Sequence, residues 1–437
     1  MRFISRITAG VSVLLALAWP MVADGQNVTP AAKWTQLAKL TESNGKEQDW
    51  LGWSVAISKD GKTAAVAAVG WCPEQGYDGC GQGAIFVFVK PATGWADMTE
   101  TAMLTASDGQ PGEYMGESVA ISDDGSTIVA GAPYWPANGK GNGAVYVFTR
   151  PQSGWANRTE AARLTTVDLY ANLGQSVAIS GNTVTGGGFG FDKNQGAAYV
   201  FVQPKGGWGN MTQTARLTAA EGTGGGVGQS VSASGGTVVA GSVGNAVLVF
   251  IRPKGGWKDE TQNAELTASD NQGRFDFGYS VSIVGSTVAV GAPERHHNGA
   301  VYMYVEPPAG WQNMTQTALL TVDAGLGGLG YSVSLDAEAK GLVSGTPSWP
   351  GGGGPGAVVL YNEPRSGWAN AAKPDARMTA NDGEDQDSLG FSVAASLESV
   401  AAGAPYAAIG SNPQQGAAYI FGRPDFVKET LPTTAVK

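Results

Sequence analysis

Residues 116–122 read Gly-Glu-Ser-Val-Ala-Ile-Ser, residues 127–133 read Thr-Ile-Val-Ala-Gly-Ala-Pro, and residues 143–148 read Gly-Ala-Val-Tyr-Val-Phe. Each segment is short, alternates in polarity or size, and is rich in β-branched and aromatic residues, which is the pattern of β-strands. A fourth segment of the form Ala-x-Leu-Thr follows at 162–165. The stretch therefore predicts a unit of four antiparallel strands, which we name A, B, C and D in that order.

The same unit recurs along the chain. The segment Ala-x-Leu-Thr, or a close variant, occurs seven times, and the strand A signature Gly-x-Ser-Val begins at Gly52, Gly116, Gly174, Gly228, Gly278, Gly330 and Gly390. Seven four-stranded units without a sustained helical period predict an all-β fold, a seven-bladed β-propeller of antiparallel blades. A solenoid is the alternative, but solenoids need capping repeats, and neither end of the chain resembles one.

The order of the segments also predicts how the ring closes. The first segment is a D strand near Leu37–Thr41, and the last is a C strand near Ala417–Phe421. We expect the N-terminal strand to complete the last blade, because that pairing leaves no long exposed sheet edge. The propeller is then expected at 34–424, after a short linker at 26–33 and before a tail at 425–437.

The composition is that of a folded protein with an acidic surface. The 437 residues include 65 Gly and 22 Pro, a share below that of disordered chains, and 42% of the residues are hydrophobic. The formal net charge of −10 argues against nucleic acid or anionic lipid as a main partner, since both attract basic surfaces.

Residues 1–25 have the features of a secretory signal peptide, with two arginines, an apolar run at 11–18 and small residues at 23–25. A retained membrane anchor is the alternative, but the run is shorter than the roughly 20 residues of a spanning helix. We therefore expect a secreted or periplasmic protein with no membrane span after cleavage. In such an oxidising compartment, Cys72 and Cys80 predict a local disulfide bond.

The repeats resemble the FG-GAP repeat, which builds the N-terminal propeller of integrin α-chains. The Phe-Gly element occurs as Phe277-Gly278, and Gly-Ala-Pro occurs at 131–133, 291–293 and 403–405. The resemblance implies seven blades, an extracellular location, and binding or cell adhesion. Integrin A–B loops often hold Ca²⁺, but the A–B turns at 58–61 and 122–125 carry at most two carboxylates, where Ca²⁺ takes six to eight oxygen ligands. We expect hairpin turns there and no cofactor.

The sequence shows no convincing catalytic constellation. The Gly-x-Ser-Val serines lack the second Gly of a nucleophile elbow, and a serine present in every repeat is typical of a structural role. His296 and His297 are the only histidines, so a His-based triad or a multi-His zinc site has little to build on. The densest acidic cluster comprises Asp382, Glu384, Asp385 and Asp387. It is compatible with a solvated surface, a weak calcium site or glycosidase carboxylates.

Six repeats carry a Gly-Trp pair after strand C, at Trp95, Trp155, Trp208, Trp257, Trp311 and Trp368. Repetition at one position favours a packing role, and a ring of sugar-stacking platforms is the alternative. The same turns contain Asn-x-Thr at 157–159, 210–212 and 313–315. These are glycosylation sequons in a eukaryotic secretory pathway, and otherwise they are turn residues of the repeat.

The loops that vary most between repeats predict the binding face. Because the strands alternate in direction, the B–C and D–A loops emerge together, on what we name the B–C/D–A face. The B–C loops supply the candidate ligand-binding aromatics Trp71, Tyr134, Trp135, Phe189, Phe191, Trp349 and Tyr406. Aromatics on loops above a rigid scaffold form binding faces, although these side chains could also pack inward. The sequence thus predicts a non-enzymatic module that binds an extracellular protein or glycan. A polysaccharide lyase or hydrolase and a multivalent lectin are the alternatives.

Overall fold

The computed structural model describes residues 33–73, 80–136, 141–221, 225–242, 246–270, 276–295, 298–322, 326–347 and 354–423. The predicted signal peptide and tail lie outside these ranges, as do His296, His297 and Trp349. Within these ranges, no helix has the length and apolar character needed to cross a membrane.

The described residues form seven sheets, one for each repeat, and every sheet has the order A–B–C–D. The A strands are β2 (Leu51–Ile57), β7 (Val119–Ile121), β12 (Ser176–Ser180), β17 (Val231–Ser234), β22 (Ser280–Val284), β27 (Val333–Leu335) and β31 (Ser392–Ala395). The B strands are β3 (Thr63–Ala68), β8 (Thr127–Ala132), β13 (Thr183–Gly188), β18 (Thr237–Gly241), β23 (Thr287–Ala292), β28 (Gly341–Thr346) and β32 (Ser399–Ala404).

The two outer strands of each unit complete the sheets. The C strands are β4 (Ala84–Val89), β9 (Ala144–Thr149), β14 (Ala197–Val202), β19 (Val247–Ile251), β24 (Ala300–Val305), β29 (Ala357–Asn362) and β33 (Ala417–Gly422). The D strands are β1 (Thr35–Thr41), β6 (Ala102–Thr105), β11 (Ala162–Thr165), β16 (Ala215–Thr218), β21 (Ala264–Thr267), β26 (Ala318–Leu320) and β30 (Ala376–Met378). A short helix, α1 (Phe191–Asn194), lies in the third B–C loop.

The seven sheets are arranged as a propeller. Each A strand contacts the A strands of both neighbouring sheets, and β31 contacts β2, so the contacts run around a closed ring. The middle strands are buried on both faces. In β9, Val145 and Val147 pack in one core cluster, whereas Tyr146 and Phe148 pack in the cluster on the other side of the sheet. This two-sided burial explains why strands B and C are almost continuously apolar.

The N-terminal strand belongs to the last sheet. Strand β1 pairs antiparallel with β33, with Ala38 opposite Ile420 and Leu40 opposite Ala418. The last sheet therefore combines strands from the two ends of the described chain.

In the part of the chain that the structure describes, five sheets contain a fifth strand that the repeat pattern does not predict. These two-residue strands pair parallel with the D strand of the preceding sheet, and they are β5 (Met98–Thr99), β10 (Arg158–Thr159), β15 (Met211–Thr212), β20 (Glu260–Thr261) and β25 (Met314–Thr315). The residue before each strand also contacts that D strand. For example, the side-chain oxygen of Asn210 accepts a hydrogen bond from the Arg163 amide at 2.8 Å. The Asn-x-Thr segments thus join neighbouring sheets.

The Gly-x-Ser-Val serines form hydrogen bonds between neighbouring sheets. The hydroxyl of Ser176 donates to the carbonyl of Gly228 at 2.9 Å, and four other serines repeat this contact with the next Gly-x-Ser-Val glycine. The hydroxyls of Ser54 and Ser118 instead accept from the amides of Val119 and Val177 in the next sheet. The serines therefore have the structural role that their repetition indicates.

The opposite face carries short turns and buried tryptophans. In the second A–B turn, the hydroxyl of Ser122 donates to Asp124 at 2.6 Å and holds the pKa of that carboxyl below its usual range. Asp124 also accepts from the Ser126 amide, so it closes its own turn. The Trp155 indole, only 6% exposed, donates to the carbonyl of Gly125 at 3.2 Å. The Gly-Trp residue of this repeat thus packs beneath the A–B turn.

Candidate binding site

Seven side chains surround the central axis on the B–C/D–A face. They occupy the variable position of Gly-x-Ser-Val, at the start of each A strand, and are Trp53, Glu117, Gln175, Gln229, Tyr279, Tyr331 and Phe391. All seven are half-buried. We name this set the axial ring. Consecutive members along the chain lie 50 to 64 residues apart in the sequence.

The axial ring has an aromatic arc and a polar arc. In the aromatic arc, Phe391 contacts Trp53 and Tyr331, with ring centroids 4.8 and 5.1 Å apart, and Tyr331 contacts Tyr279 at 5.0 Å. In the polar arc, the Gln175 amide donates to the Glu117 carboxylate at 3.1 Å. The aromatic arc thus presents apolar surface, and the polar arc next to it offers hydrogen-bonding groups.

A pocket of about 720 Å³ opens next to the axial ring, above the first three repeats. Its wall includes Trp50, Trp53, Pro111, Tyr114, Glu117, Tyr134, Tyr170 and Asn172. We name it the Trp50 pocket. Every lining residue belongs to a D–A loop, a B–C loop or the beginning of an A strand, so the pocket lies on the B–C/D–A face.

Two of the pocket aromatics have an unusual backbone conformation. The residue two positions before each Gly-x-Ser-Val glycine has positive φ in all seven repeats, where it turns the chain into strand A. Five repeats place Asn172, Gly226, Asp276, Gly328 or Ser388 there. The first two repeats instead have Trp50 at φ 56° and Tyr114 at φ 53°. Bulky aromatics are outliers in this region, which favours glycine and asparagine.

Glu117 is the charged group of the pocket wall. Burial raises the pKa of its carboxyl above the usual value, and hydrogen bonds from Gln175 and Trp53 oppose this shift. Burial and the negative charge of Glu117 together raise the pKa of the Tyr134 phenol. The ring of Tyr134 also meets that of Tyr114 edge to face, with centroids 5.8 Å apart.

The disulfide lies behind one wall of the pocket. Cys72 and Cys80 are bonded, with their Cα atoms 6.0 Å apart, as their spacing predicts. The carbonyl of Cys80 accepts from the Gly112 amide at 2.9 Å, and the carbonyl of Gly81 accepts from the Tyr114 amide at 2.8 Å. Closing so short a loop restrains it by roughly 2–3 kcal/mol. The disulfide thus restrains the segment that carries Tyr114.

The B–C loop aromatics that the sequence predicts as ligand-binding residues lie in different environments in the structure. Tyr134 is 44% exposed and lines the Trp50 pocket. Tyr406 contacts the axial ring, because its ring meets Phe391 edge to face at 6.0 Å. Trp71 packs partly against the core of the first blade and lines a different pocket with Cys72. Trp349 lies outside the described residues.

Trp135 and Phe191 contact charged side chains at the tops of the blades. The Trp135 indole donates to Asp108 at 3.2 Å, and the Arg163 guanidinium stacks 4.6 Å from its ring centre. Phe191 lies in α1, and the Arg216 guanidinium is 4.8 Å from its ring centre. Phe189 is half-buried. Trp135 and Phe191 therefore pack inward over the blade tops, which is the alternative that the sequence leaves open.

The acidic cluster at 382–387 is divided among separate contacts. Asp382 forms an ion pair with Lys39 at 2.6 Å and accepts from the Tyr419 hydroxyl at 3.1 Å. Asp387 is buried and accepts from the Glu384 amide, whereas Glu384 and Asp385 are exposed. Among the described residues, no three His, Cys, Asp or Glu side chains are grouped so that they could hold a metal ion.

Among the described residues, Asp382 is one of four aspartates with the same arrangement. Each follows a D strand and accepts from a tyrosine hydroxyl of strand C in the next sheet, in the pairs Asp108–Tyr146, Asp168–Tyr199, Asp270–Tyr302 and Asp382–Tyr419. Each also pairs with a cation, namely Arg163, Arg216, Arg295 and Lys39 respectively. In three of the sheets, the cation and the tyrosine are cross-strand neighbours. These triads join the blades near the B–C/D–A face.

Sequence reasoning missed the axial ring and the Trp50 pocket. Gly-x-Ser-Val has the pattern of a structural element, and the residue between Gly and Ser carries a signal only when the seven repeats are compared. Aligning the seven repeats would have shown Glu117 in one of them and aromatics in four others. The same alignment would have shown Trp50 and Tyr114 at a position that elsewhere holds Gly, Asn, Asp or Ser.

Comparison with known protein families matches the FG-GAP repeat at four places, residues 34–88, 98–148, 261–304 and 374–421. No curated protein matches the chain.

Proposed function

Because this chain is an FG-GAP repeat β-propeller, we propose that it is a non-enzymatic binding module that recognises an extracellular protein or glycan through its B–C/D–A face. The Trp50 pocket and the adjoining axial ring form the centre of the proposed contact surface. We also propose that the protein is secreted, to the periplasm or beyond the cell. The Cys72–Cys80 bond supports this location, since disulfides persist in oxidising compartments.

The observation that carries the proposal is the positive φ of Trp50 and Tyr114. A left-handed backbone costs a residue with a side chain roughly 1–2 kcal/mol. Five sibling repeats have a smaller residue at this position, so the turn itself does not require an aromatic. Backbone strain of this kind concentrates at ligand clamps and active sites. Both strained aromatics line the same pocket. We infer that they are retained at these positions because they contact a ligand there.

The number of carboxyl groups in the pocket favours binding over catalysis. Glu117 is the one carboxylate among the described residues that line it. Most glycosidases use two carboxyl groups on opposite sides of the scissile bond. A single carboxylate held by Gln175 is better suited to accept a hydrogen bond from a ligand.

The proposal is tested with Trp50→Asn and Tyr114→Asn, which introduce the residue that the third repeat uses at Asn172. Wild type and variants are applied to a panel of immobilised glycans and extracellular-matrix proteins, and Tm is measured in parallel. We expect each variant to lose retention with little change in Tm, because released backbone strain offsets lost packing. The control Trp208→Ala changes the opposite face and should keep retention. The proposal fails if both pocket variants bind like wild type.

A further inference from the structure

The Trp50 pocket also indicates the chemical class of its ligand, an inference that rests on the proposed function. We propose that it binds the end of a neutral oligosaccharide built from β-linked sugars of the gluco configuration. Such sugars have ring faces of axial C–H groups and a rim of equatorial hydroxyls. They therefore fit a wall with broad aromatic surface and a few fixed hydrogen-bonding groups.

The aromatic part of the wall leaves ring faces for a sugar. Trp50 and Trp53 are tilted by 41° with centroids 6.1 Å apart, and Tyr114 and Tyr134 are inclined at 77°. Neither pair is stacked face to face, and all four rings line the pocket. Tyr170 is 58% exposed and stands at positive φ beside these pairs. Aromatic rings of this kind combine apolar contact area with low conformational entropy.

The polar part of the wall can bond hydroxyl groups. The Glu117 carboxyl is fixed by Gln175, and the Asn172 amide, which donates weakly to the Pro133 carbonyl at 3.4 Å, lies on the same wall. A carboxyl accepts from a hydroxyl when ionised and can also donate when protonated. Burial raises the pKa of the Glu117 carboxyl above its usual value. The hydroxyls of Tyr114 and Tyr134 add groups that both donate and accept.

The dimensions favour a sugar over a small organic cation. An aromatic cage for a quaternary ammonium closes tightly around one group, whereas this pocket of about 720 Å³ extends over three repeats. Glu117 already interacts with the Gln175 amide and the Trp53 indole, which reduces its value as a counter-charge. The volume lies within the range of sites that enclose ligands of several rings. The single negative group also disfavours sialylated or uronic sugars.

The test is calorimetric titration of the secreted protein with cellotetraose and with chitotetraose. Tyr170→Ala removes an exposed pocket ring, and Leu169→Ala is the matched control, since Leu169 is 62% exposed and does not line the pocket. Neither change should affect Tm. We expect binding of at least one tetrasaccharide, weakened about tenfold or more by Tyr170→Ala and unchanged by Leu169→Ala. Sialyllactose should bind more weakly than the neutral probe.

The outcomes separate this inference from the proposed function. If neither tetrasaccharide binds while a matrix protein is retained and lost in Trp50→Asn, the oligosaccharide inference is wrong and the binding face stands. Tight binding of choline without tetrasaccharide binding would likewise overturn it in favour of a cation. If tetrasaccharide binding is equal in the Tyr170→Ala and Leu169→Ala variants, the sugar binds elsewhere and the pocket assignment is wrong. If no probe binds this face, both the oligosaccharide inference and the proposed function are wrong.

Discussion

The hydroxyl of Ser392 donates a hydrogen bond to the carbonyl of Gly52 at 2.8 Å, although the two residues are 340 positions apart in the sequence. This contact joins the seventh A strand to the first. Gly403 lies beside it, where a Cβ atom would come within 1.8 Å of the same Gly52 oxygen. Because Gly403 of the Gly-Ala-Pro segment has no side chain, the Gly52 carbonyl can come close to strand β32. In that position the carbonyl accepts the hydrogen bond from Ser392. The seam of the ring is therefore built like four of the other blade junctions.

The first prediction is that this seam is as stable as an internal junction. Ser392→Ala should lower the free energy of unfolding by about 1 kcal/mol, the usual net contribution of one hydrogen bond. Ser280→Ala removes the same contact, to Gly330, and should cost the same. Urea unfolding measures both. A cost at Ser392 several times that at Ser280 would show that the seam is a weak point.

The second prediction concerns the repeat tryptophans. Trp155→Ala should destabilise the fold by roughly 3–5 kcal/mol, because it removes a large side chain that is only 6% exposed. Trp208 occupies the same repeat position but is half-buried, so Trp208→Ala should cost clearly less. Tm and urea midpoints compare the two variants. Equal costs would contradict the difference in burial, and loss of ligand from folded Trp155→Ala would favour a lectin built on the repeated turn.

The third prediction is that the Tyr–Asp–cation triads act as coupled units. Tyr199 donates to Asp168 at 2.9 Å, and Arg216 contacts both oxygens of the same carboxylate at 3.1 Å. Tyr199→Phe should cost about 1 kcal/mol, and Asp168→Asn should cost more, because it removes the carboxylate that forms the ion pair with Arg216. In a double-mutant cycle, the combined loss should be smaller than the sum of the two. Strict additivity would show that the hydroxyl and the carboxylate do not interact.

The fourth prediction concerns pH and Glu117. Burial raises the folded-state pKa of Glu117 above its value of about 4.5 in the unfolded chain, so between the two values the folded state holds a proton that the unfolded state has released. The free energy of unfolding due to this group therefore falls as pH rises through that window. Glu117→Gln cannot ionise. Its stability relative to wild type should increase with pH above about 4.5 and level off above the folded-state pKa, as measured by urea unfolding. A difference that does not change with pH would contradict the burial of Glu117.

The blade count and strand pattern were predictable, because each repeat encodes the same local alternation and the same turns. The Cys72–Cys80 bond was also predictable from its short spacing. The fifth strands were not, because Met211-Thr212 pairs only with Leu164-Thr165 of the preceding sheet, a contact with no local signal. The Trp50 pocket was missed for a related reason. Its wall joins three repeats, and each contributes side chains that look ordinary within a single repeat.

The central claim is that the B–C/D–A face, around Trp50 and Tyr114, is the binding face. Hydrogen–deuterium exchange with and without the panel ligand that the wild-type protein retains tests this most directly. We predict slower exchange on binding in segments 48–56 and 110–118, which contain the pocket loops, and no change in the A–B turns at 58–62 and 122–126. Protection confined to those A–B turns would place the ligand on the opposite face and contradict the account.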